Sequence, residues 1–354
     1  MEALTSAFAW SSLAKRRTVV CPEANIWEDE MIDMKLSRRE LLAGTCTTAA
    51  AGLLGGASPG FAKAPLLNTQ APAFYRFKVG SIEATVISDG PLATGPVEKT
   101  FFGPTLEELK KMMADRFVAA DNVVLDQNAL VINTGDKLAL FETGMSSVKR
   151  TKDMGKIVQN LKAAGIDPKD IDAVIPSHGH IDHVGGILAE DGSRNFPNAQ
   201  IYIAQVDLEY WTDEARKGTA GEGSMLAARK NLLPNRDRII FYNDGQEVIP
   251  GVQAMATPGH TYGHTAFVVD SGGQTLFVGG DLVHHDIIIE KPRMEDAFDT
   301  DRKMAIETRV KTMSMLSSQK MLSLIYHTAW PGLGHFSARG DGFRFEPIAM
   351  DMRS

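Results

Sequence analysis

The nine histidines of this 354-residue chain all lie at or after position 178, and three of them stand together in His178-Gly-His180-Ile-Asp182-His183. This spacing does not place the side chains on one helical face, where residues three or four apart meet. It suits a loop at the end of the strand that Ile171–Ile175 predicts. In such a loop, His178 and His180 can turn to one metal ion while Asp182 and His183 turn to a second. Imidazole and carboxylate ligands together are typical of Zn²⁺ and similar transition ions.

One ion takes about three or four protein ligands, so two ions need more ligands than this cluster supplies. Further candidates follow three other predicted strands. The candidates are His260 after Val252–Ala256, Asp281 after Thr275–Val278, and His327 after Met321–Tyr326. A single histidine after a strand is usually an ordinary loop residue, and a lone Gly-Asp pair is usually a turn. All of them together, in this order, predict a two-metal site at one edge of the sheets.

The pattern of apolar residues predicts strands toward both ends of the chain after residue 64, with helices interspersed. Tyr75–Val79 and Ile82–Ser88 alternate as strands do. Lys156–Ala164 has helical spacing, and residues 302–320 are also predicted to be helical. This mixture favours an α+β fold of two sheets covered by helices over a single parallel sheet.

The N-terminal region has the parts of an export signal. Ser37-Arg38-Arg39 is a twin-arginine motif, an apolar small-residue stretch runs from Leu41 to about Phe61, and Ala62-Lys63-Ala64 resembles a cleavage site. A membrane anchor is the alternative, but the glycines and threonines make the stretch weakly apolar. We therefore expect residues 1–64 to be an N-terminal extension with a Tat-type signal peptide. Residues 65–354 would be one hydrolase domain, periplasmic or secreted and without stable membrane insertion.

Two further expectations depend on this region. Residues 1–33 are long and acidic for a signal peptide, so we hypothesise that translation starts at Met31 or Met34. The two cysteines, Cys21 and Cys46, both precede the predicted cleavage site. The processed chain would then have no disulfide, no cysteine nucleophile and no thiolate metal ligand.

A nucleic-acid partner is not expected. The formal net charge is -7 at pH 7, and no long basic run occurs after the first forty residues. The chain is 44% hydrophobic, which allows a sizeable core. We expect a small-molecule substrate, and a homodimer stays open.

Taken together, His178-Gly-His180-Ile-Asp182-His183, Thr257-Pro-Gly-His260, Gly280-Asp281 and His327 resemble the motifs of the metallo-β-lactamase superfamily. The resemblance covers about residues 75–345, and its first motif is highly specific. It implies an αββα sandwich with two divalent metal ions, for which we expect Zn²⁺, at one edge.

The resemblance also implies which residue holds which ion. His178, His180 and His260 would hold the first ion, Asp182, His183 and His327 the second, and Asp281 would bridge both. His335 is the rival of His327 for the last position; we favour His327 because it comes directly off its strand. His335 would then lie at the rim or behind a ligand, and His264 would orient a ligand.

Two bridged ions can share a water molecule and lower its pKa toward neutrality, so that the resulting hydroxide attacks a carbonyl carbon or a phosphorus. Asp182 and Asp281 are the catalytic carboxylates of this hypothesis, because they offset part of the ionic charge. The bridging Asp281 disfavours typical β-lactamase sites. The absence of a Glu beside His180 disfavours the oxygen-reducing di-iron branch.

Within the superfamily, the chain resembles the methyl parathion hydrolase branch most closely, through His327-Thr-Ala-Trp-Pro-Gly-Leu-Gly-His335 and the residues from Gly340 to Pro347. This similarity implies hydrolysis of an organophosphate triester or a lactone. The alternatives are a glyoxalase II-like thioesterase and a β-lactamase-type amide hydrolase. The residues after His335 do not predict the helical domain usual in glyoxalase II. A non-catalytic metal-binding protein is disfavoured by the complete ligand set.

Several residues are assigned to the surroundings of the site. Glu142 stands where an Asp is usual in the superfamily and is interpreted as structural, whereas Tyr262 replaces a common Pro and could reshape the pocket. His284 and His285 are interpreted as loop or pocket-rim residues. The aromatic residues considered for a leaving-group pocket are Phe101, Phe102, Phe196, Tyr210, Trp211 and Tyr262. Phe196 is better explained as core.

Overall fold

The computed structural model describes residues 66–145 and 153–351. The export signal predicted for residues 1–64 lies outside these residues and stays a prediction. In the part of the chain that the structure describes, no helix combines the length and apolar character that a membrane crossing requires. Residues Thr69–Ser354 group into one structural unit.

The strands in the described residues form two large sheets and two small ribbons. In chain order they are β1 (Phe74–Val79), β2 (Ile82–Ser88), β3 (Leu92–Gly95), β4 (Phe101–Phe102), β5 (Val123–Leu125), β6 (Asn128–Asn133), β7 (Leu138–Phe141), β8 (Ala173–Ile175), β9 (Gln200–Tyr202), β10 (Ile239–Ile240), β11 (Glu247–Ile249), β12 (Val252–Ala256), β13 (Thr265–Ser271), β14 (Gln274–Val278), β15 (Glu295–Asp296), β16 (Leu322–Leu324), β17 (Leu333–Arg339) and β18 (Gly342–Pro347).

The helices cover the outer faces of these sheets. They are α1 (Val97–Thr100), α2 (Leu106–Ala114), α3 (Ile157–Ala163), α4 (Ile181–Val184), α5 (Gln205–Thr212), α6 (Glu222–Leu232), α7 (Asp286–Glu290) and α8 (Arg302–Gln319). Side-chain caps define where some of them begin. Thr105 and Glu108 form a reciprocal capping box at α2, and Asp301 accepts a hydrogen bond from the Met304 N–H at α8.

Each large sheet has seven strands. The first has the order β1-β2-β6-β7-β8-β9-β10, and the second has the order β11-β12-β13-β14-β16-β17-β18. The first sheet is antiparallel from β1 to β7 and parallel from β7 to β10. In the second sheet only β14 and β16 pair in parallel among its described strands.

Alternation along the strands explains the four layers, because successive side chains of a strand point to opposite faces. Val86 and Phe141 of the first sheet belong to the same buried cluster as Phe267 of the second sheet, so they form the core between the sheets. Their neighbours Ile87 and Leu140 pack instead with the helices outside the first sheet. The outer face of the second sheet is covered in the same way by α7 and α8. The predicted α+β, αββα sandwich is confirmed.

Most sequence-based elements lie where they were expected, with ends that differ by at most two residues. The predicted strand Val252–Ala256 matches β12 over its whole length, and residues 302–320 match α8. Helix α6 and the hairpin of β17 and β18 were not among the expected elements.

We expect Phe267→Ala to lower the free energy of unfolding by about 3–5 kcal/mol, because it leaves a cavity between the two sheets. Phe267 is 1% exposed, and its ring centre lies 5.4 Å from that of Phe141. Denaturant unfolding followed by circular dichroism measures the change. Exposed Phe117→Ala is the control, and an equally small effect of both substitutions would contradict the assignment of Phe267 to the core.

Candidate metal centre

Four strand ends bring the candidate ligands together. His178, His180, Asp182 and His183 follow β8, His260 lies between β12 and β13, Asp281 follows β14, and His327 follows β16. Because β14 and β16 are parallel neighbours, their carboxyl ends place Asp281 and His327 at the same edge. All seven side chains are buried except His180, which is half-buried.

The first group consists of His178, His180, His260 and Asp281, whose potential ligand atoms lie within 4.8 Å of one another. His260 Nε2 is 2.9 Å from His180 Nδ1 and 3.1 Å from His178 Nε2. Asp281 Oδ2 lies 3.3 Å from His260 Nε2. A neutral imidazole has only one N–H group. The three converging ring nitrogens therefore cannot all be paired by hydrogen bonds among themselves, and some of their lone pairs have no proton to accept.

The second group consists of Asp182, His183 and His327. His327 Nε2 lies 3.2 Å from Asp182 Oδ2, and His183 Nε2 lies 3.5 Å from the same oxygen. Asp281 stands between the two groups, because its Oδ1 is 3.2 Å from His183 Nε2 and its Oδ2 is 3.4 Å from His327 Nε2. Asp281 is therefore placed to serve both groups.

Divalent cations fit these donor atoms. Among the described residues, neither His183 Nε2 nor Asp281 Oδ1 has a hydrogen-bond partner, although both atoms are buried. A buried polar atom without a partner is costly, and both atoms point into a cluster of nitrogen and carboxylate oxygen donors. Such mixed donors are suited to Zn²⁺ and to related transition ions.

The imidazole nitrogens that face away from the centre are held by neighbouring groups. His183 Nδ1 donates to Glu142 Oε2 (2.8 Å), and His260 Nδ1 donates to Asp299 Oδ1 (3.2 Å). His327 Nδ1 donates to the Asp126 carbonyl oxygen (2.7 Å). His178 Nδ1 lies 2.9 Å from Ser177 Oγ. Such partners fix the orientation of a metal-binding histidine. Glu142, interpreted from sequence as structural, orients His183.

Burial and neighbouring charge set the protonation of the centre. Burial, together with the nearby imidazole of His183, holds the pKa of His178 well below its usual value, so its ring stays neutral. Burial alone would raise the pKa of Asp281, but the imidazoles of His183 and His327 hold it well below the usual range. Burial also opposes a charge on His327, yet Asp281 raises the pKa of this histidine to about 9.

His264 lies behind Asp281. Its Nδ1 donates to the Thr257 carbonyl oxygen (3.0 Å), and its Nε2 accepts a hydrogen bond from the Asp281 backbone N–H (3.0 Å). Burial lowers the pKa of His264 to about 4, so the ring stays neutral and Nε2 remains an acceptor. This geometry fixes the backbone from which the Asp281 carboxylate projects.

His284 lies in the loop after Asp281 and lines the cleft, as expected for a loop or pocket-rim residue, and it also contacts the centre itself. It is 1% exposed, its Nε2 lies 3.2 Å from Asp281 Oδ2, and its Nδ1 lies 2.9 Å from Asp296 Oδ2. The turn after Asp281 brings the residue three positions later back to the carboxylate, and that spacing was the available signal. His285 instead caps α7, where its Nδ1 accepts a hydrogen bond from the Ile287 N–H (3.3 Å).

Other sequence-based assignments to the surroundings of the centre are wrong. His335 lies on β17, where its Nδ1 is 3.1 Å from the Lys320 carbonyl oxygen, because the strand carries it away from the centre. Tyr262 is 41% exposed and lines a neighbouring groove rather than the cleft at the centre. Phe101 is buried in the core, as is Phe196, for which this was expected.

A cleft of about 420 Å³ opens onto the centre. Asp182, His180 and His327 lie among its lining residues. Apolar and aromatic side chains from separate parts of the chain form part of its other walls: Leu92, Leu125, Met145, Tyr210, Trp211 and Phe298. Trp211 contacts the centre directly, because its ring lies 4.5 Å from that of His180. Phe298 and Arg216 also line the cleft, and no pattern in the sequence indicated either of them.

Helix α5 supports both loops of the first group. Asp207 of this helix accepts hydrogen bonds from the Gly179 N–H through Oδ2 and from the Gly263 N–H through Oδ1. One turn later, Trp211 packs so closely on Gly179 that a Cβ atom there would lie 2.8 Å from the indole. The loop of His178 and His180 is therefore joined to the loop of His260 through one buried carboxylate.

Comparison with known proteins identifies the family. The model of the metallo-beta-lactamase superfamily matches residues 122–315, which is more than half of the chain. This chain therefore belongs to the metallo-beta-lactamase superfamily, as its motifs suggested, and it is a metal-dependent hydrolase.

Relatives and solved structures point in the same direction. An N-acyl homoserine lactonase of a Bacillus species is 30% identical over 188 residues, which are 52% of this chain and 67% of that protein. AidC, a dizinc quorum-quenching lactonase solved with a product, is 27% identical with a TM-score of 0.74, covering 78% of this chain and 98% of that one. AbOPH, a hydrolase in the beta lactamase superfamily, is 26% identical with a TM-score of 0.74, over 80% of this chain and 100% of that one.

We expect Asp207→Asn to weaken ion binding at the first group by about tenfold or more, because the loss of a partner behind metal ligands has this effect. An amide has one acceptor oxygen and cannot accept from both loop N–H groups with the strength of a carboxylate. Elemental analysis after dialysis against increasing concentrations of a chelator measures this effect. The Asp207→Asn variant should lose about one ion per chain at a lower chelator concentration than the second ion.

Asp89→Asn is the matched control. Asp89 is also fully buried, and burial raises its pKa to about 6, as it does for Asp207. Its carboxylate accepts hydrogen bonds from the backbone N–H groups of Met145, Gly155 and Ile157, none of which is a candidate ligand. Equal ion retention by wild type and Asp207→Asn, or equal loss in both variants, would contradict the specific role of Asp207.

Proposed function

We propose that the protein is a lactone hydrolase that uses two divalent metal ions, for which zinc is the best candidate. The observation that carries this proposal is the pair of buried histidine and aspartate groups that share Asp281 at the floor of a cleft with apolar and aromatic side chains in its walls. The lactonase names of the relatives and of the dizinc structural neighbour support it.

The proposed ligands follow from the two groups. His178, His180 and His260 would hold the first ion, Asp182, His183 and His327 would hold the second, and Asp281 would serve both. Such a pair of ions supplies Lewis acidity for a carbonyl oxygen and lowers the pKa of a shared water molecule. His284 contacts Asp281 from the side and keeps its carboxylate in place through the link to Asp296.

Asp182 is the carboxylate best placed to move a proton. It lines the cleft, and Oδ2 is the oxygen that lies 3.5 Å from His183 Nε2 and 3.2 Å from His327 Nε2. We propose that Oδ1 takes a proton from the attacking water and returns it to the leaving alkoxide when the ring opens. Asp281, which contacts imidazoles through both oxygens, serves as a fixed counter-charge.

The cleft supports a lactone with an apolar substituent as substrate. Its volume of about 420 Å³ is in the usual range of small-molecule sites. Leu92, Leu125 and Phe298 offer apolar contacts to a substituent, while the ring lies over the metal centre. An organophosphate triester, the other substrate class expected from the sequence, is included in the test because its reaction uses the same centre.

The test is one hydrolysis panel on the purified protein reconstituted with zinc. It compares a γ-lactone bearing an acyl chain, an aryl phosphotriester, a thioester and a β-lactam. We expect the lactone to have the highest kcat/KM, and a chelator to abolish its hydrolysis. His178→Ala should lower kcat by about a hundredfold or more, because it removes a direct ligand.

His335→Ala is the matched control, since it removes a histidine that lies outside the centre. It should leave lactone hydrolysis and metal content unchanged. Hydrolysis that resists both chelation and His178→Ala would overturn the metal mechanism. A higher kcat/KM for the phosphotriester, the thioester or the β-lactam would overturn the choice of substrate.

A further inference from the structure

Arg216 is a cationic side chain in the cleft to which the proposed reaction gives no role. It lies between α5 and α6, is half-buried, and lines the same cleft as His180 and Asp182. Its Nη1 donates to the Tyr210 hydroxyl (2.8 Å), and its guanidinium carbon lies 4.5 Å from the centre of the Tyr210 ring. Stacking and hydrogen bonding on one ring fix the direction of the guanidinium.

The guanidinium retains donors that the protein does not use. Nε is buried without a hydrogen-bond partner in the described part of the chain, and Nη2 makes no hydrogen bond there either. No carboxylate of the described residues pairs with Arg216, whereas nearby Arg229 pairs with Glu214 (3.0 Å). A partly buried charged donor without a protein acceptor gains most from an acceptor supplied by the ligand.

A row of aromatic rings connects the metal centre to this arginine. The Trp211 ring lies 4.5 Å from His180 and 5.0 Å from Tyr210, and Arg216 stacks on Tyr210. A substrate whose reacting bond lies at His180 can extend its substituent along these rings. The far end of that substituent then reaches the free edge of the guanidinium.

We propose that Arg216 binds a carbonyl or carboxylate oxygen on the substituent of the substrate, away from the bond that is cleaved. The inference rests on the proposed function and specifies its substrate class. The preferred substrates are lactones or esters that carry an acceptor group on the side chain, rather than purely alkyl ones. The planar fork of a guanidinium is well suited to carbonyl and carboxylate oxygens.

The test uses three γ-butyrolactones with side chains of equal length: an alkyl chain, a chain joined through an amide, and a chain ending in a carboxylate. Arg216→Met should lower kcat/KM about tenfold or more for the lactones that Arg216 contacts, since it removes a charge-assisted hydrogen bond. The alkyl lactone should change by less than about twofold. A selective loss on the amide lactone identifies a carbonyl acceptor, and one on the carboxylate lactone identifies an anionic acceptor.

Arg229→Met is the matched control, because it removes an arginine from the same part of the chain that does not line the cleft. It should leave the preference among the three lactones unchanged. An equal loss on all three lactones with Arg216→Met, or no loss on any, would overturn the proposal. The first result would mean that Arg216 only supports Tyr210, and the second that it does not contact the substrate.

Binding without turnover separates this proposal from the proposed function. Calorimetry measures the affinity of N-hexanoyl-homoserine, a ring-opened amide, for the zinc-loaded wild type and for Arg216→Met. If the wild type hydrolyses no lactone, the proposed function fails, while the subsite still requires about tenfold weaker binding by the variant. Unchanged affinity together with unchanged kinetics would remove the subsite and leave the proposed function intact.

Discussion

The carboxylate of Asp281 makes the contacts on which the rest of the centre depends. Its oxygens lie within 3.4 Å of ring nitrogens of His183, His260 and His327, which come from three different strand ends. One carboxylate cannot satisfy so many buried nitrogens by hydrogen bonds alone. The arrangement becomes favourable when cations take the lone pairs, so the geometry of this edge and the binding of metal are coupled. The residues behind the centre add to this coupling, because His264 holds the Asp281 backbone while Glu142 orients His183.

A centre of this kind needs a scaffold whose stability comes from elsewhere. The apolar core between the two sheets contains none of the candidate ligands, and the helices bury the outer faces of both sheets. The strand ends are therefore held by packing that does not involve the candidate ligands. This is why short segments such as Ala173–Ile175 and Leu322–Leu324 can position His178 and His327 accurately: each is a buried strand between two neighbours.

The sequence allowed the fold and the candidate ligands to be predicted because both depend on local patterns. A buried strand followed by a histidine or an aspartate is visible within about ten residues, and the superfamily motifs add the order. His335 was misplaced because two histidines flank one turn, and only the pairing of β17 with β18 shows that the second is carried away. His284 was underestimated because a loop histidine and a buried one have the same sequence signal. Arg216 and Asp207 could not be found, since their roles depend on how α5 and the residues after it pack against distant loops.

Helix α5 links the chemistry of the centre to the choice of substrate. On one face, Asp207 and Trp211 contact the loops that carry the proposed ligands of the first ion. The adjacent Tyr210 lines the cleft and supports Arg216. In the proposed reaction the centre sets which bond is attacked, while the segment that begins with α5 sets what the cleft accepts. Because Asp207 and Tyr210 share one short helix, substitutions that move the helix alter both properties together. Substitutions confined to Arg216 change only recognition, so substrate preference can vary while the metal centre remains intact.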